Sequence, residues 1–156
     1  MWIKKYSKIS ELNSLLKNLP KKKKIVYTYG AFDLLHPGHI RLLVRAKELG
    51  DYLIVGIVSD NPIKNLKGKD RPIQKFDDRL TIVGSLRCVD AVIEQLDYDP
   101  SNELKKLNRV NILTKGNDWD YIPGTETIES MGGELILLNY TEKFSTSKIV
   151  KNIKKK

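Results

Sequence analysis

The stretch Thr28-Tyr29-Gly30-Ala31-Phe32-Asp33-Leu34-Leu35-His36-Pro37-Gly38-His39 constrains the chain more than any other. An apolar run, Ile25 to Tyr29, leads in, and Ile40 to Leu49 leads out with helical periodicity, which predicts a strand, a glycine turn and a helix start. Pro37 suits the first helical position, where a missing N–H costs nothing. His36 then falls at the N-cap and His39 in the first turn, and their spacing puts both imidazoles near one side of the helix start. Unpaired backbone N–H groups and the positive end of the helix dipole point to the same place, so an anion, above all a phosphate, is the expected ligand. The chain has two histidines, and both are here. A helix cap plus a partly buried imidazole is the competing reading. A closed zinc site is not expected, because there is no third histidine and Cys88 is the only cysteine.

A length of 156 residues suits one domain with one sizeable core. No apolar run approaches the length of a transmembrane helix, and Met1-Trp2-Ile3-Lys4-Lys5-Tyr6 lacks the long apolar region of a signal peptide. A single cysteine forms no internal disulfide, so the expected compartment is the cytoplasm, with no membrane partner. The formal net charge is +9, part of it in Lys21–Lys24 and Lys154–Lys156. Short basic runs at the edges of elements read as solvated ends, and without a recognisable RNA- or DNA-binding motif a nucleic-acid partner is not expected.

Along the chain, Ser10 is expected to cap a first helix with a stripe of Ile9, Leu12, Leu15, Leu16 and Leu19, ended by Pro20. Asp51 to Ser59 reads as a central parallel strand buried on both faces. Ser59 to Pro62 reads as a turn and Ile63 to Lys75 as a basic loop. Phe76–Arg87 is expected to be helical, Val89–Glu94 a strand, and Pro100 the start of a helix through Leu107. Val110–Thr114 is the fourth expected strand, followed by a polar loop from Lys115 to Gly124. Thr125–Met131 is a short helix, Glu134–Leu138 the fifth strand, and Ser145-Thr146-Ser147 the cap of a last helix to about Ile153. This divides the chain into an N-terminal helix and basic connection (1–24), a main domain (25–153) and a basic tail (154–156). The alternation predicts a Rossmann-like, doubly wound parallel sheet of about five strands with helices on both faces. Ligands of such sheets lie beyond the carboxyl ends of the strands, and the candidate loops all follow strands.

The residue types fit phosphoryl chemistry. Transfer at phosphorus needs positioning and fixed positive donors more than a covalent nucleophile. His36 and His39 would donate to phosphoryl oxygens, and Gly30 and Gly38 would let the backbone come close to them. Lys67 or Lys69, with Arg79, could grip phosphates, although a solvated basic face is an equal reading. Lys115-Gly116-x-Asp118 could bind a ribose or magnesium, or form a plain turn. Asp33 could hold magnesium or orient its loop. Ser145, Thr146 and Ser147 offer hydroxyls and N–H groups, and Trp119 is either a base platform or packing.

The Gly30-x-Phe32-Asp33 and His36-Pro37-Gly38-His39 arrangement resembles the signature of the HxGH nucleotidyltransferases, the cytidylyltransferase-like superfamily. Lys67-Gly68-x-x-Arg71-Pro72-Ile73, Asp78-Arg79, Cys88-Val89-Asp90, Lys115-Gly116-x-Asp118 and Met131-Gly132-Gly133-Glu134 look like the adenylyltransferase domain of the bifunctional ADP-heptose synthases. Tyr29-Gly30-x-Phe32-Asp33 and Asp118-Trp119 look more like glycerol-3-phosphate cytidylyltransferase. Phe144-Ser145-Thr146-Ser147-Lys148-Ile149 is similar to the closing Ser-Thr-Thr motif of both, with Ser147 for the second threonine. The resemblance implies transfer of a nucleoside monophosphate from ATP or CTP to a sugar or polyol phosphate, with magnesium and commonly as a homodimer. By it, His36 and His39 stabilise the transition state, and Lys67 and Arg79 hold phosphates. Tyr29, Gly30, Ala31, Phe32, Asp33, Gly38, Lys115, Gly116, Asp118, Trp119 and Ser145 to Ser147 would bind the nucleotide, with Asp33 and Asp118 as candidate metal ligands. A heptose-1-phosphate-type adenylyltransferase leads over a cytidylyltransferase, and a non-catalytic nucleotide- or RNA-binding module trails both. No sugar-kinase domain stands ahead of the motif, so any such kinase is expected to be a separate protein.

Overall fold

In the computed structural model, which describes residues 8–139 and 143–155, the chain runs α1 (Ile9–Asn18), β1 (Ile25–Gly30), α2 (Pro37–Glu48), β2 (Tyr52–Val58), α3 (Asp60–Lys67), α4 (Phe76–Gly84), β3 (Ala91–Gln95), α5 (Ser101–Lys106), β4 (Ile112–Gly116), α6 (Thr125–Ser130), β5 (Glu134–Leu138) and α7 (Thr146–Lys154). The five strands form one sheet in the order β3-β2-β1-β4-β5, and every pairing is parallel. This is the expected Rossmann-like fold. Alternation along β1 builds its two layers. Ile25, Tyr27 and Tyr29 pack on one face with Leu12 and Leu16 of α1, Leu104 of α5 and Ile128 of α6. Val26 packs on the other with Leu43 and Ala46 of α2 and Leu80 and Val83 of α4.

The sheet winds outward from β1 through β2 to β3, then crosses back to β4 and β5. The switch point lies between β1 and β4, where α2 departs one way and the later helices the other. A crevice opens there at the carboxyl ends of the strands.

Several boundaries differ from the expectation. The turn and basic loop expected over 59–75 are instead, over Asp60–Lys67, helix α3, with Ser59 as its N-cap. Asp60 sits in the first turn, where a carboxylate is favoured, Pro62 falls where no intrahelical N–H is needed, and buried Ile63 anchors the helix. Gly68, at φ 101°, ends it. Ser10 is not a cap: it lies inside α1, whose N-cap is Lys8, and its carbonyl accepts from the Ser14 hydroxyl. Leu15 is exposed, so the buried stripe of α1 is Leu12 and Leu16. The segment 1–7 and Lys156 of the expected tail lie outside the described residues.

Candidate active site

The site begins with the sharp exit of the chain from β1. Phe32 and Leu34 both have positive φ, 50° and 49°, a conformation that side chains with a Cβ adopt only when the surroundings enforce it. The enforcement comes from Asp33 between them. Its carboxylate, 1% exposed, accepts from the Ile73 and Gln74 backbone N–H groups at 2.9 Å each and from Arg71 Nε at 3.1 Å. Gln74 Oε1 accepts in turn from the Leu34 N–H at 3.0 Å. The Thr146 hydroxyl donates to the Asp33 carbonyl at 2.6 Å, which docks the start of α7 on the same loop. The N-termini of α2 and α7 therefore meet, and both carry the positive end of a helix dipole.

Two histidines form the start of α2. His36 is its N-cap, and its Nδ1 accepts from the Gly38 N–H at 3.1 Å, while His39 Nδ1 accepts from the His36 N–H at 3.4 Å. The rings stack with centroids 3.7 Å apart, and Phe32 meets His39 edge-on at 5.4 Å. Burial lowers the pKa of His36. It holds His39 down to about 3, with the charges of His36, Lys67 and Lys115 acting the same way and Asp33 opposing. Both rings are thus neutral at neutral pH, and with each Nδ1 an acceptor, Nε2 carries the proton as a free donor. Gly38 is required by this packing: a Cβ there would lie 2.9 Å from His36 Cε1.

The crevice is a cavity of about 340 Å³. Of the site residues read from the sequence, Tyr29, Gly30, Ala31, Phe32, Asp33, His36, Gly38, His39, Lys67, Lys115, Gly116, Asp118, Trp119, Ser145, Thr146 and Ser147 line it. Lys115 lies on β4 rather than in a loop, and its side chain is buried. Its ammonium donates to the Tyr29 carbonyl at 2.8 Å and stands 4.2 Å from the Tyr29 ring and 5.4 Å from the Trp119 ring. Burial, helped by the Lys67 charge and opposed by Asp118, lowers its pKa to about 8. Lys67 occupies the last turn of α3, and its pKa is lowered by desolvation and by Arg71.

Two expectations need correction. Arg79 does not reach the cavity. It is 0% exposed, and its guanidinium donates to the Gln74 carbonyl at 3.0 Å, the Ala31 carbonyl at 2.5 Å and Asp60 at 2.7 Å. It fastens the motif loop to α3 and α4 and has no position from which to grip a phosphate. Asp33 does not offer a metal site either, because its oxygens are already taken by Arg71 and two N–H groups. Lys69, the alternative to Lys67, is not among the lining residues.

Among the described residues no group of three His, Cys, Asp or Glu side chains could hold a metal by itself. Asp118 is a carboxylate that lines the cavity.

Arg41, Leu42, Arg45, Tyr98 and Asn139 also line the cavity, and sequence reasoning missed them. A helical signal existed for three: Arg41, Leu42 and Arg45 follow Gly38 by three, four and seven positions and so share its face of α2. Tyr98 and Asn139 follow strand ends and carried no local signal.

Fold and site together define a Rossmann-like α/β domain with a cavity between two helix N-termini, lined by paired neutral histidines and by lysines and arginines. The chain belongs to the cytidylyltransferase-like family, whose model matches residues 27–152. It is 41% identical over 151 residues to the bifunctional protein HldE of Campylobacter concisus, covering 96% of this chain and 31% of that protein. For the bifunctional protein HldE of Nitratiruptor sp. the identity is 42% over 146 residues, covering 92% and 31%. The chain thus spans under a third of the length of these relatives. Among solved structures, the lipopolysaccharide core biosynthesis protein of Thermoplasma volcanium superposes with a TM-score of 0.64 at 27% identity, covering 76% of this chain and 97% of that one. Pantoate-beta-alanine ligase of Francisella tularensis shares the fold, with a TM-score of 0.64 at 17% identity, covering 96% and 77%. Among the described residues no helix is long and apolar enough to cross a membrane.

Proposed function

We propose that the domain transfers a nucleoside monophosphate from a nucleoside triphosphate to a phosphorylated sugar and releases pyrophosphate, with ATP and a heptose-1-phosphate-type acceptor as its substrates. The observation that carries this reading is the stacked, neutral His36–His39 pair at the start of α2. An oxygen of the acceptor phosphate attacks the α-phosphorus. The new P–O bond forms as the bond from that phosphorus to the α–β bridging oxygen breaks, and pyrophosphate leaves with the electron pair. Negative charge builds on the phosphoryl oxygens, where the two Nε2–H donors and the N-termini of α2 and α7 are fixed in advance. Lys67, Lys115 and Arg41 would hold the triphosphate. Magnesium, when bound, supplies neutralisation of triphosphate charge, and Asp118 is the residue proposed to face it.

The ATP and heptose assignments rest on the segments shared with the ADP-heptose synthases and on the bifunctional HldE relatives. A second reading, a cytidylyltransferase acting on glycerol 3-phosphate or another polyol phosphate, rests on Tyr29 and Trp119, both of which line the cavity. A cytoplasmic homodimer is proposed on the family resemblance. The test is pyrophosphate release from four nucleoside triphosphates against sugar 1-phosphates and polyol phosphates. Release with ATP and a sugar 1-phosphate supports the reading. Release with CTP and glycerol 3-phosphate alone moves it to the second, and no release with any pair defeats both.

A further inference from the structure

The transfer reaction leaves one residue of the closing motif unused. Phe144 comes just before the cap of α7 and is not among the residues that line the cavity. Its neighbours fix it in place. Ser145 caps α7 by accepting from the Lys148 N–H at 3.2 Å, and Thr146 donates to the Asp33 carbonyl at 2.6 Å. Phe144 is thereby held against the start of α2, where a Cβ on Gly38 would stand 3.4 Å from the Phe144 Cβ. Its ring extends the column that the histidines begin. It lies 6.4 Å from the His36 ring and within 23° of parallel to it, while Phe32 closes the other end of the column on His39.

The ring also carries a cation. The guanidinium carbon of Arg41 stands 5.4 Å from its centroid, within the range over which an aromatic face attracts a charge. Arg41 is an exposed side chain of α2, and it lines the cavity. A freely rotating arginine loses much rotamer entropy when it grips an anion, and one already held on a ring loses less. Lys143 lies 5.7 Å from the same ring but is not among the lining residues, so Arg41 is the cation that the ring can direct into the cavity. Arg45, one turn further along α2, is tethered in another way, to the Asn139 carbonyl at 3.2 Å. Phe144 thus ties the start of α7 to a cation on α2 without reaching the cavity itself.

We propose that Phe144 is a positioning residue: its ring holds Arg41 in the pose that grips the triphosphate, so that docking of α7 also sets a cation on α2. The proposal rests on the triphosphate-binding half of the transfer reaction above. Its test is a double-mutant cycle on the full chain, read by calorimetry as the Kd of ATP and of CTP. Phe144→Leu, at a half-buried position, keeps an apolar side chain and removes the ring face. It should weaken binding of the preferred triphosphate about fivefold, and Phe144→Tyr, which keeps the ring, should bind as wild type does. Arg41→Gln should weaken binding about tenfold, and the double variant Phe144→Leu/Arg41→Gln should be no weaker than Arg41→Gln alone. Losses that multiply to about fiftyfold in the double variant overturn the proposal, because Phe144 would then act independently of Arg41. Wild-type affinity in Phe144→Leu also overturns it, as does a Phe144→Tyr variant as weak as Phe144→Leu. A wild-type chain that binds neither triphosphate overturns the proposal and the transfer reaction together. One that binds a triphosphate but releases no pyrophosphate with any acceptor overturns the transfer reaction alone, and the cycle still decides the role of Phe144.

Discussion

His36 and His39 stack ring on ring at 3.7 Å, and the backbone N–H groups of Gly38 and His36 occupy their Nδ1 atoms. The pair is a preset two-donor site with each proton on Nε2. Replacing either ring by alanine removes a donor aimed at developing charge, a loss usually on the order of 10²–10³ in turnover. We expect His36→Ala and His39→Ala each to lower kcat by roughly 10²-fold or more while the far-UV spectrum stays native. Folded variants with wild-type kcat would remove the pair from the mechanism.

The same burial gives stability a pH dependence. His39 stays neutral in the fold down to about pH 3, whereas in the unfolded chain it takes a proton near its ordinary value of about 6.5. Between those values the unfolded state binds more protons, so this contribution to stability is whole above about pH 6.5 and falls as pH drops toward 3. Urea unfolding at pH 7.5 and pH 5 should show the loss, and His39→Gln should flatten it. An equal pH slope in the wild type and His39→Gln would assign the dependence to other groups.

Arg79 separates two roles that look alike in sequence. Its donors end on Ala31, Gln74 and Asp60, so it acts as a positioning residue. Arg79→Ala leaves two carbonyls and a carboxylate without their partner and should cost about 3 kcal/mol, the low end for breaking a buried pair, because Asp60 remains partly in water. Arg79→Lys should restore part of the stability. Chemical denaturation measures both. A variant of wild-type stability whose only defect is a raised triphosphate KM would return Arg79 to the phosphates.

The strand-to-helix motif was legible because three independent signals, strand pattern, Pro37 at the first helical position and histidine spacing, agreed at one place. The sheet was legible for a similar reason: Tyr52–Val58 is apolar throughout, as a strand covered on both faces must be. Helix α3 was not, because its Lys, Asn and Pro content hides a single buried anchor, Ile63. Arg79 was misread because a guanidinium that binds carbonyls and one that binds phosphate have the same sequence signature. The place of Tyr98 in the cavity depends on β3 lying next to β2, a long-range pairing that no local pattern announces.

Lys115 ties the site to pH in the working range. Its ammonium is buried beside the Tyr29 and Trp119 rings, and its pKa is lowered to about 8. Below that pH it is charged and favours the triphosphate; above it the charge is lost. If binding requires the charge, the triphosphate KM should be flat below about pH 8 and then rise by up to tenfold per pH unit. Binding above that point should also take up a proton, measurable by calorimetry in buffers of different ionisation heat. Lys115→Met should abolish the inflection and leave the weaker affinity at every pH. Neighbouring charges give the assignment an internal check. The Lys67 charge pushes the Lys115 pKa down and Asp118 holds it up. Lys67→Ala should therefore move the inflection to higher pH, and Asp118→Asn to lower pH. An inflection that ignores both substitutions, or persists in Lys115→Met, belongs to another group.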